Sequence, residues 1–160
     1  MLEKKSMQFM LNVPLLDSTI LATINKKLTE TFGGEFSEVI IGGAALNPEA
    51  EEFFKKIGFR FTVGYGMTEC APLISHSFWH EFKLHSVGKI LPTMEAKILS
   101  NDPQNEVGEI IVRGENVMLG YYKNEEATRL AIDEDGWLHT GDMGTMDYDG
   151  TIYIKGRNKN

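Results

Sequence analysis

The hexapeptide Gly64-Tyr65-Gly66-Met67-Thr68-Glu69 places an aromatic ring, a hydroxyl and a carboxylate next to one another. Glycine on both sides of Tyr65 lets the backbone pass close to a ligand while the ring projects as a stacking surface. The Thr68 hydroxyl can donate to a phosphate oxygen, and the Glu69 carboxylate is a hard ligand of the kind that Mg²⁺ accepts when it also carries substrate phosphates. The pattern suits a nucleotide, although the hexapeptide taken alone favours a strand that ends in a tight turn with a surface acid.

A strand, a helix and a second strand precede this loop. The apolar run Val39-Ile40-Ile41 predicts a strand buried on both faces of a parallel sheet, and Asn47-Pro48-Glu49 begins a helix with a capping side chain, a proline and an acid. The alternating segment 59–63 predicts the second strand. A right-handed crossover makes the two strands parallel and puts their following loops at one edge of the sheet, where ligands bind. The Gly43-Ala44-Ala45 turn and the Tyr65 loop should therefore face one crevice suited to a flat purine.

The chain changes character near Ser86. Before it, an additional helix is predicted with Asp17-Ser18 as its cap and Gly33-Gly34 as its end. After it, short alternating strands and turn signals predict a small antiparallel sheet or a partly open barrel. The predicted fold class is α/β, with a parallel-sheet portion over 1–86 followed by a small antiparallel β-barrel-like subdomain over 87–155.

Composition limits the function classes. The 160 residues suffice for one core or two small lobes, and the formal charge of −7 argues against nucleic acid or an anionic membrane as partner. No apolar run approaches the roughly 20 residues of a membrane span, and no signal peptide is recognisable. The lone Cys70 cannot form an internal disulfide, so a cytoplasmic location and a small buried residue, not a nucleophile, are expected.

Histidines and aromatic residues cluster between the hexapeptide and Ser86. His76 and His80 are four residues apart, with Glu81 and His85 nearby, which on a helix would place a metal pair on one face. The segment shows no helical stripe and no second ligand cluster, so we discount a metal site and leave the role of these histidines open. Three aromatic residues are expected to pack against a neighbouring lobe or line an apolar pocket: Phe78, Trp79 and Phe82.

Several short motifs follow one another along the chain, each occurring once. They are Gly42-Gly43-Ala44-Ala45, the hexapeptide, Gly108-Glu109-Ile110, Gly120-Tyr121-Tyr122, the segment from Gly136 to Asp142, and Gly156-Arg157-Asn158-Lys159. Their order and spacing resemble the adenylate-forming acyl-CoA synthetases, also called AMP-dependent synthetases and ligases, over nearly everything from Val39 to Asn160. Within that family the sequence is most similar to long-chain fatty-acid CoA ligases. Such enzymes join a carboxylic acid to ATP as an acyl-adenylate, and then transfer the acyl group to a thiol, usually that of coenzyme A.

The resemblance implies a role for each matched position. It implies that Gly43, Ala44 and Ala45 contact adenine, that Tyr65 stacks on it within the Gly64, Gly66 and Met67 segment, and that Thr68 binds the α-phosphate while Glu69 binds Mg²⁺. It implies that Asp142 accepts from the ribose hydroxyls, that Ile154 flanks the nucleotide, that Arg157 contacts the ribose and phosphate side, and that Lys159 is a hinge. Without the resemblance, Asp142 is a turn aspartate, Ile154 a packed strand residue and Arg157 a surface charge. Two acceptor oxygens on Asp142 do match two ribose hydroxyls.

The resemblance also predicts what the 160 residues lack. The family's phosphate loop would lie upstream, and the small C-terminal domain would follow the hinge that starts at 156–160. The chain is therefore expected to be a piece of a ligase that uses ATP, Mg²⁺, coenzyme A and a carboxylic acid, and to be inactive alone. Two alternatives stay open: an aryl-acid or peptide-synthetase adenylation domain, and a non-catalytic AMP-binding module.

Overall fold

The computed structural model describes residues 18–158, so the predicted cap Asp17 and the predicted hinge Lys159 lie outside the described residues. The helices of this range are α1 (Ser18–Thr31), α2 (Pro48–Ile57) and α3 (Glu125–Ala131), with a short 3₁₀ helix over Thr68–Cys70. The strands are β1 (Val39–Ile41), β2 (Phe61–Val63), β3 (Tyr65–Gly66), β4 (Leu73–His76), β5 (Lys89–Ile90), β6 (Met94–Leu99), β7 (Gly108–Gly114), β8 (Leu138–Met146) and β9 (Ile152–Arg157). No described helix combines the length and the apolar character that crossing a membrane requires.

The predicted strand–helix–strand unit is present. Strands β1 and β2 pair in parallel, with α2 as the connection between them. The Asn47 side chain accepts hydrogen bonds from the first turn of α2, and Gly58 ends the helix at φ 71°, a left-handed conformation that glycine adopts without strain. One part of the prediction is wrong among the described residues: Ile40 is 55% exposed, while Val39 and Ile41 are half-buried, so β1 is not buried on both faces.

An aromatic cluster packs beneath this unit. The Phe54 ring lies 5.4 Å from the rings of both Phe59 and Phe61, and Phe82 lies 5.4 Å from Phe61. Of the three aromatic residues expected to pack against a neighbouring lobe or line an apolar pocket, Phe82 is buried in this cluster, whereas Phe78 and Trp79 are 57% and 39% exposed among the described residues. Each fully buried phenylalanine contributes about 1.5–3 kcal/mol from the transfer of its side chain out of water.

A three-stranded antiparallel sheet, β3-β4-β5, links the two halves of the chain. Its last strand follows Ser86, so the sheet spans the predicted boundary between the portions 1–86 and 87–155. The Val87 amide also donates to the Ile152 carbonyl at 2.9 Å, and Lys89 forms a β-bridge with Thr151. The segment after Ser86 is thereby held against the last described strand.

The second half forms a four-stranded antiparallel sheet in the order β6-β7-β8-β9, which confirms the predicted antiparallel sheet. No sheet of residues 18–158 closes into a barrel, so the barrel-like subdomain is not confirmed. Closure requires more strands and a consistent stagger, and four strands leave two open edges. Ile110, Val112 and Leu138 are at most 1% exposed and form the centre of a core that also includes Tyr65 and Cys70.

Candidate active site

A cavity of about 490 Å³ opens where the β1 and β2 ends meet the four-stranded sheet. Its walls include nine of the predicted site residues: Gly43, Ala44 and Ala45, Gly64, Tyr65 and Gly66, and Asp142, Ile154 and Arg157. The Gly64 amide donates to the Ile41 carbonyl at 2.9 Å, so the two predicted loops lie side by side. The carboxyl ends of two parallel strands and residues from β8 and β9 thus share one crevice.

Tyr65 and Asp142 are in direct contact in the wall of this cavity. The Tyr65 phenol donates to Asp142 Oδ2 at 2.8 Å, although the residues are 77 positions apart in the chain. Burial raises the pKa of the Tyr65 phenol well above its ordinary value; the Thr140 hydroxyl lowers it in part, and the bond to Asp142 raises it further. The phenol therefore remains a proton donor, and the Asp142 carboxylate is fixed in position by it.

Asp142 is also held from the second half of the chain. It pairs with Arg157 in the register of β8 and β9, and Arg157 Nε lies 3.6 Å from Asp142 Oδ1. The Asp142 amide donates to the Thr140 hydroxyl at 3.1 Å. The Asp142 side chain is 17% exposed, whereas that of Arg157 is 72% exposed, so the carboxylate is sheltered and the cation is at the rim.

Glycines permit the close approach around Tyr65. A Cβ on Gly66 would overlap the Pro72 carbonyl oxygen, because β3 and the start of β4 pass in direct backbone contact. Gly43 has a φ of 83°, a left-handed conformation in which a side chain would be strained. The two turns can therefore present bare backbone to a ligand.

Three predicted residues lie outside the walls of this cavity: Met67, Thr68 and Glu69. Met67 packs against the core, and Thr68 is exposed on the 3₁₀ helix. Glu69 Oε1 accepts the Tyr121 hydroxyl at 2.9 Å, and this hydrogen bond raises the pKa of the Tyr121 phenol. The Glu69 side chain therefore lies outside the crevice and faces Tyr121, in the segment before α3.

The donor set at Glu69 fits a magnesium ion that also binds phosphates. Among residues 18–158, Glu69 Oε2 accepts no hydrogen bond, and no group of three or more His, Cys, Asp or Glu side chains could enclose a metal ion. Mg²⁺ is usually held by one or two carboxylates together with substrate phosphates and water, not by a cage of protein ligands. A single free carboxylate oxygen matches that requirement.

The walls also include Glu51, which the sequence analysis missed, and His85, whose role it left open. Glu51 is 3% exposed, and its Oε1 accepts the His85 amide at 2.5 Å while its Oε2 lies 3.5 Å from His85 Nδ1. The sequence did hold a signal for the burial of Glu51: it lies three residues before Phe54, and this spacing places both side chains on one face of α2. His76 lies in β4 and His80 in a turn, so these two histidines do not share a helix face.

The thiol of Cys70 is buried beside the site. Cys70 is 0% exposed, and burial, with the nearby Glu69 charge, raises its pKa to about 11. A protonated, inaccessible thiol is a poor nucleophile. The expectation that Cys70 is a small buried residue is confirmed.

The comparisons with known proteins agree on one family. The model of the family described as "AMP-binding enzyme" matches residues 1–122. A long-chain-fatty-acid–CoA ligase of Homo sapiens is 39% identical over 118 residues, which cover 74% of this chain and 16% of that protein. One of Salmonella typhimurium is 43% identical over 124 residues, covering 74% and 22%. The peroxisomal long chain acyl-CoA synthetase 6 of Arabidopsis thaliana is 40% identical over 143 residues, covering 84% and 20%.

Solved structures give the same fold. O-succinylbenzoate coenzyme A synthetase from Bacillus subtilis in complex with AMP superimposes with a TM-score of 0.69 and 32% identity, covering 88% of this chain and 30% of that one. The same enzyme with ATP and magnesium gives 0.66 and 31%, covering 87% and 30%. A malonyl-CoA ligase with methylmalonyl-CoA and AMP gives 0.72 and 31%, covering 89% and 32%. The chain thus spans less than a third of each of these proteins.

Proposed function

This chain belongs to the AMP-binding enzyme family, and on that basis we propose that the whole protein is an ATP-dependent ligase that joins a carboxylic acid to coenzyme A. In the first step a carboxylate oxygen attacks the α-phosphorus of ATP, which forms an acyl-adenylate and releases pyrophosphate. In the second step the coenzyme A thiol attacks the acyl carbon, forms the thioester and releases AMP and a proton. Residues 18–158 supply the nucleoside part of this site.

One observation carries the proposal: the 2.8 Å hydrogen bond from Tyr65 to Asp142 in the wall of a cavity that the Gly43-Ala44-Ala45 turn also lines. A carboxylate oxygen has two lone pairs, so Asp142 can hold the phenol and still accept from both ribose hydroxyls. The turn presents small side chains against which a planar base can lie. Ile154 flanks the nucleotide, and Arg157, at the rim, is a fixed cation for the phosphate side.

We propose that Thr68 binds the α-phosphate and that Glu69 holds Mg²⁺. A bound Mg²⁺ would neutralise charge on the phosphates as pyrophosphate leaves. The contribution of the chain is positional: the 3₁₀ helix presents the exposed Thr68 hydroxyl and the free Glu69 oxygen on consecutive residues. The Bacillus subtilis enzyme, whose fold this chain shares, forms a complex with ATP and a magnesium ion, which supports the use of this metal here.

We propose a long-chain fatty acid as substrate, because curated relatives at 38–43% identity are named long-chain-fatty-acid–CoA ligases. Solved neighbours at 31–32% identity are named for O-succinylbenzoate and malonyl-CoA, so a shorter or aryl acid is the second candidate. A panel of acids that includes palmitate, benzoate, O-succinylbenzoate and malonate separates these alternatives. We propose the cytoplasm as the location, because the lone Cys70 cannot form an internal disulfide. Fractionation against peroxisomal markers tests this location, since one relative is named peroxisomal.

The deciding experiment is ATP–pyrophosphate exchange by the whole protein with each acid of the panel. We expect exchange that requires an acid and Mg²⁺ and that is reduced in Asp142→Ala. Binding of AMP without exchange for any acid would instead support the non-catalytic AMP-binding module. An Asp142→Ala protein with unchanged exchange would refute the proposed nucleoside site.

A further inference from the structure

A segment from the second half of the chain packs against the loop that carries Glu69. We call residues 116–121 the strap. The Asn116 side-chain nitrogen donates to the carbonyls of Cys70 and Leu73 at 2.8 and 2.6 Å. The Met118 amide donates to the Glu69 carbonyl at 2.7 Å. The strap therefore fixes the backbone of the 3₁₀ helix and of the residues that follow it.

The strap is itself anchored to α3 at its far end. The Tyr121 amide donates to the Thr128 hydroxyl at 2.9 Å, and that hydroxyl donates to the Asn124 carbonyl at 2.8 Å. Gly120 has a φ of 145°, and a Cβ there would lie 2.7 Å from Thr128 Cγ2, so the strap passes in close contact with α3. The backbone of Tyr121 is thus held against α3 while its hydroxyl contacts Glu69.

Tyr121 and its neighbour Tyr122 differ in their exposure and in the contacts of their side chains. The Tyr121 hydroxyl donates to Glu69 Oε1 at 2.9 Å, and the residue is 40% exposed. Tyr122 is 87% exposed, and the contact of its ring is with the Lys123 ammonium at 5.2 Å. The motif Gly120-Tyr121-Tyr122 therefore contains one phenol that holds the expected metal ligand and one that does not.

We propose that Tyr121 is a positioning residue that orients the Glu69 carboxylate towards Mg²⁺, an inference that rests on the proposed function. The phenol occupies Oε1 and leaves Oε2 for the ion. Because the backbone of Glu69 is fixed by Met118, the hydrogen bond selects the side-chain rotamer without moving the loop. Partners of this kind around a metal ligand typically change metal affinity by about 10- to 100-fold when removed.

The test uses Tyr121→Phe in the whole protein, with Tyr122→Phe as the matched control because it removes the same hydroxyl one residue away. ATP binding is measured by calorimetry at a series of MgCl₂ concentrations, and AMP binding is measured in EDTA. We expect Tyr121→Phe to raise the half-maximal Mg²⁺ concentration by about 10-fold, with AMP affinity in EDTA unchanged. Tyr122→Phe should match the parent protein in both measurements. Since Tyr121 is 40% exposed and phenylalanine keeps its ring, the variant should remain folded.

The variant Glu69→Gln distinguishes the failure of this inference from the failure of the proposed function. If Glu69→Gln raises the Mg²⁺ requirement while Tyr121→Phe does not, Tyr121 does not position the carboxylate. If Tyr121→Phe weakens AMP in EDTA as much as it weakens ATP with Mg²⁺, its role is structural and the inference is overturned. If Glu69→Gln leaves the Mg²⁺ requirement unchanged, the metal assignment itself fails, while the dependence of AMP binding on Asp142 tests the nucleoside site independently.

Discussion

Replacing Asp142 by alanine should weaken AMP binding by an amount that the geometry sets. The carboxylate is 17% exposed and is held by Tyr65 at 2.8 Å, so it is ordered before any ligand binds. Losing the charge-assisted bonds to two ribose hydroxyls costs about 1.5–3 kcal/mol in total, because water solvates the freed hydroxyls in part. This corresponds to roughly a 10- to 150-fold increase in Kd. The Tyr65 phenol loses its acceptor in both free and bound protein, which lowers stability and not affinity.

The assay is a calorimetric titration with AMP and with 2′,3′-dideoxyadenosine monophosphate, applied to the parent protein, Asp142→Ala and Asp142→Asn. If the carboxylate binds the ribose, the analogue should bind the parent protein weakly and should lose little more in Asp142→Ala. Asp142→Asn keeps one acceptor oxygen and loses the charge, so its AMP affinity should lie between that of the parent protein and that of Asp142→Ala. Thermal unfolding of each variant checks that the protein remains folded.

Equal losses for AMP and the dideoxy analogue in Asp142→Ala would refute this reasoning. Such a result would mean that the carboxylate acts by holding Tyr65 or Arg157 and makes no contact with ribose hydroxyls. Asp142→Ala with unchanged AMP affinity would remove the nucleoside site from this cavity altogether.

Three further predictions concern stability and reactivity. Gly66→Ala should lower the free energy of unfolding by about 1–3 kcal/mol in denaturant titrations, because the Cβ of the new alanine would overlap the Pro72 carbonyl just before β4. Gly156→Ala should have little effect, because the space around Gly156 is open. Cys70, whose pKa is raised to about 11 by burial, should react with a thiol reagent at pH 8 far more slowly in the folded chain than in denaturant; fast labelling of the folded chain would contradict its burial. The pKa of Asp149 is lowered from its ordinary value of 3.8, chiefly by the hydrogen bond from the Thr151 hydroxyl. The stabilisation that the Asp149 carboxylate provides is therefore complete above pH 3.8 and is lost as the pH falls towards the lowered pKa. The Tm deficit of Asp149→Asn at pH 7 should shrink in acid, and a deficit that stays constant with pH would contradict this.

Local signals predicted the elements that position the crevice. Asn47 and Gly58 mark the limits of α2 because a side-chain cap and a left-handed glycine act within one turn of the chain. The parallel pairing of β1 with β2 followed from the helix between them. The meeting of Tyr65 with Asp142 came from a resemblance between motifs, because no local rule connects residues so far apart. The assigned roles of these residues in binding stay predictions.

The features that were missed depend on tertiary contacts. Glu51 reads as a surface acid in a helix, and only the packing of α2 against the chain before Ser86 buries it and brings His85 to its carboxylate. In the same way, nothing near Tyr121 in the sequence indicates that its hydroxyl reaches Glu69, since the strap and the 3₁₀ helix lie in different halves of the chain. The barrel was expected from alternating strands and turns, but these signals count strands without fixing whether the edges meet.

Tyr65 connects the two halves of the proposed nucleoside site. The residue is only 7% exposed, so just a small part of its ring can face a base, while its phenol fixes the carboxylate on β8. A ring that is packed into the core has already lost its rotamer freedom in folding, and a ligand need not order it again. In the proposed nucleoside site, the surface for adenine and the carboxylate for ribose are therefore held at a fixed separation by the Tyr65 side chain. On this proposal a nucleoside contacts both groups without any rearrangement of Tyr65, so we expect a preformed site, not one that closes around its ligand.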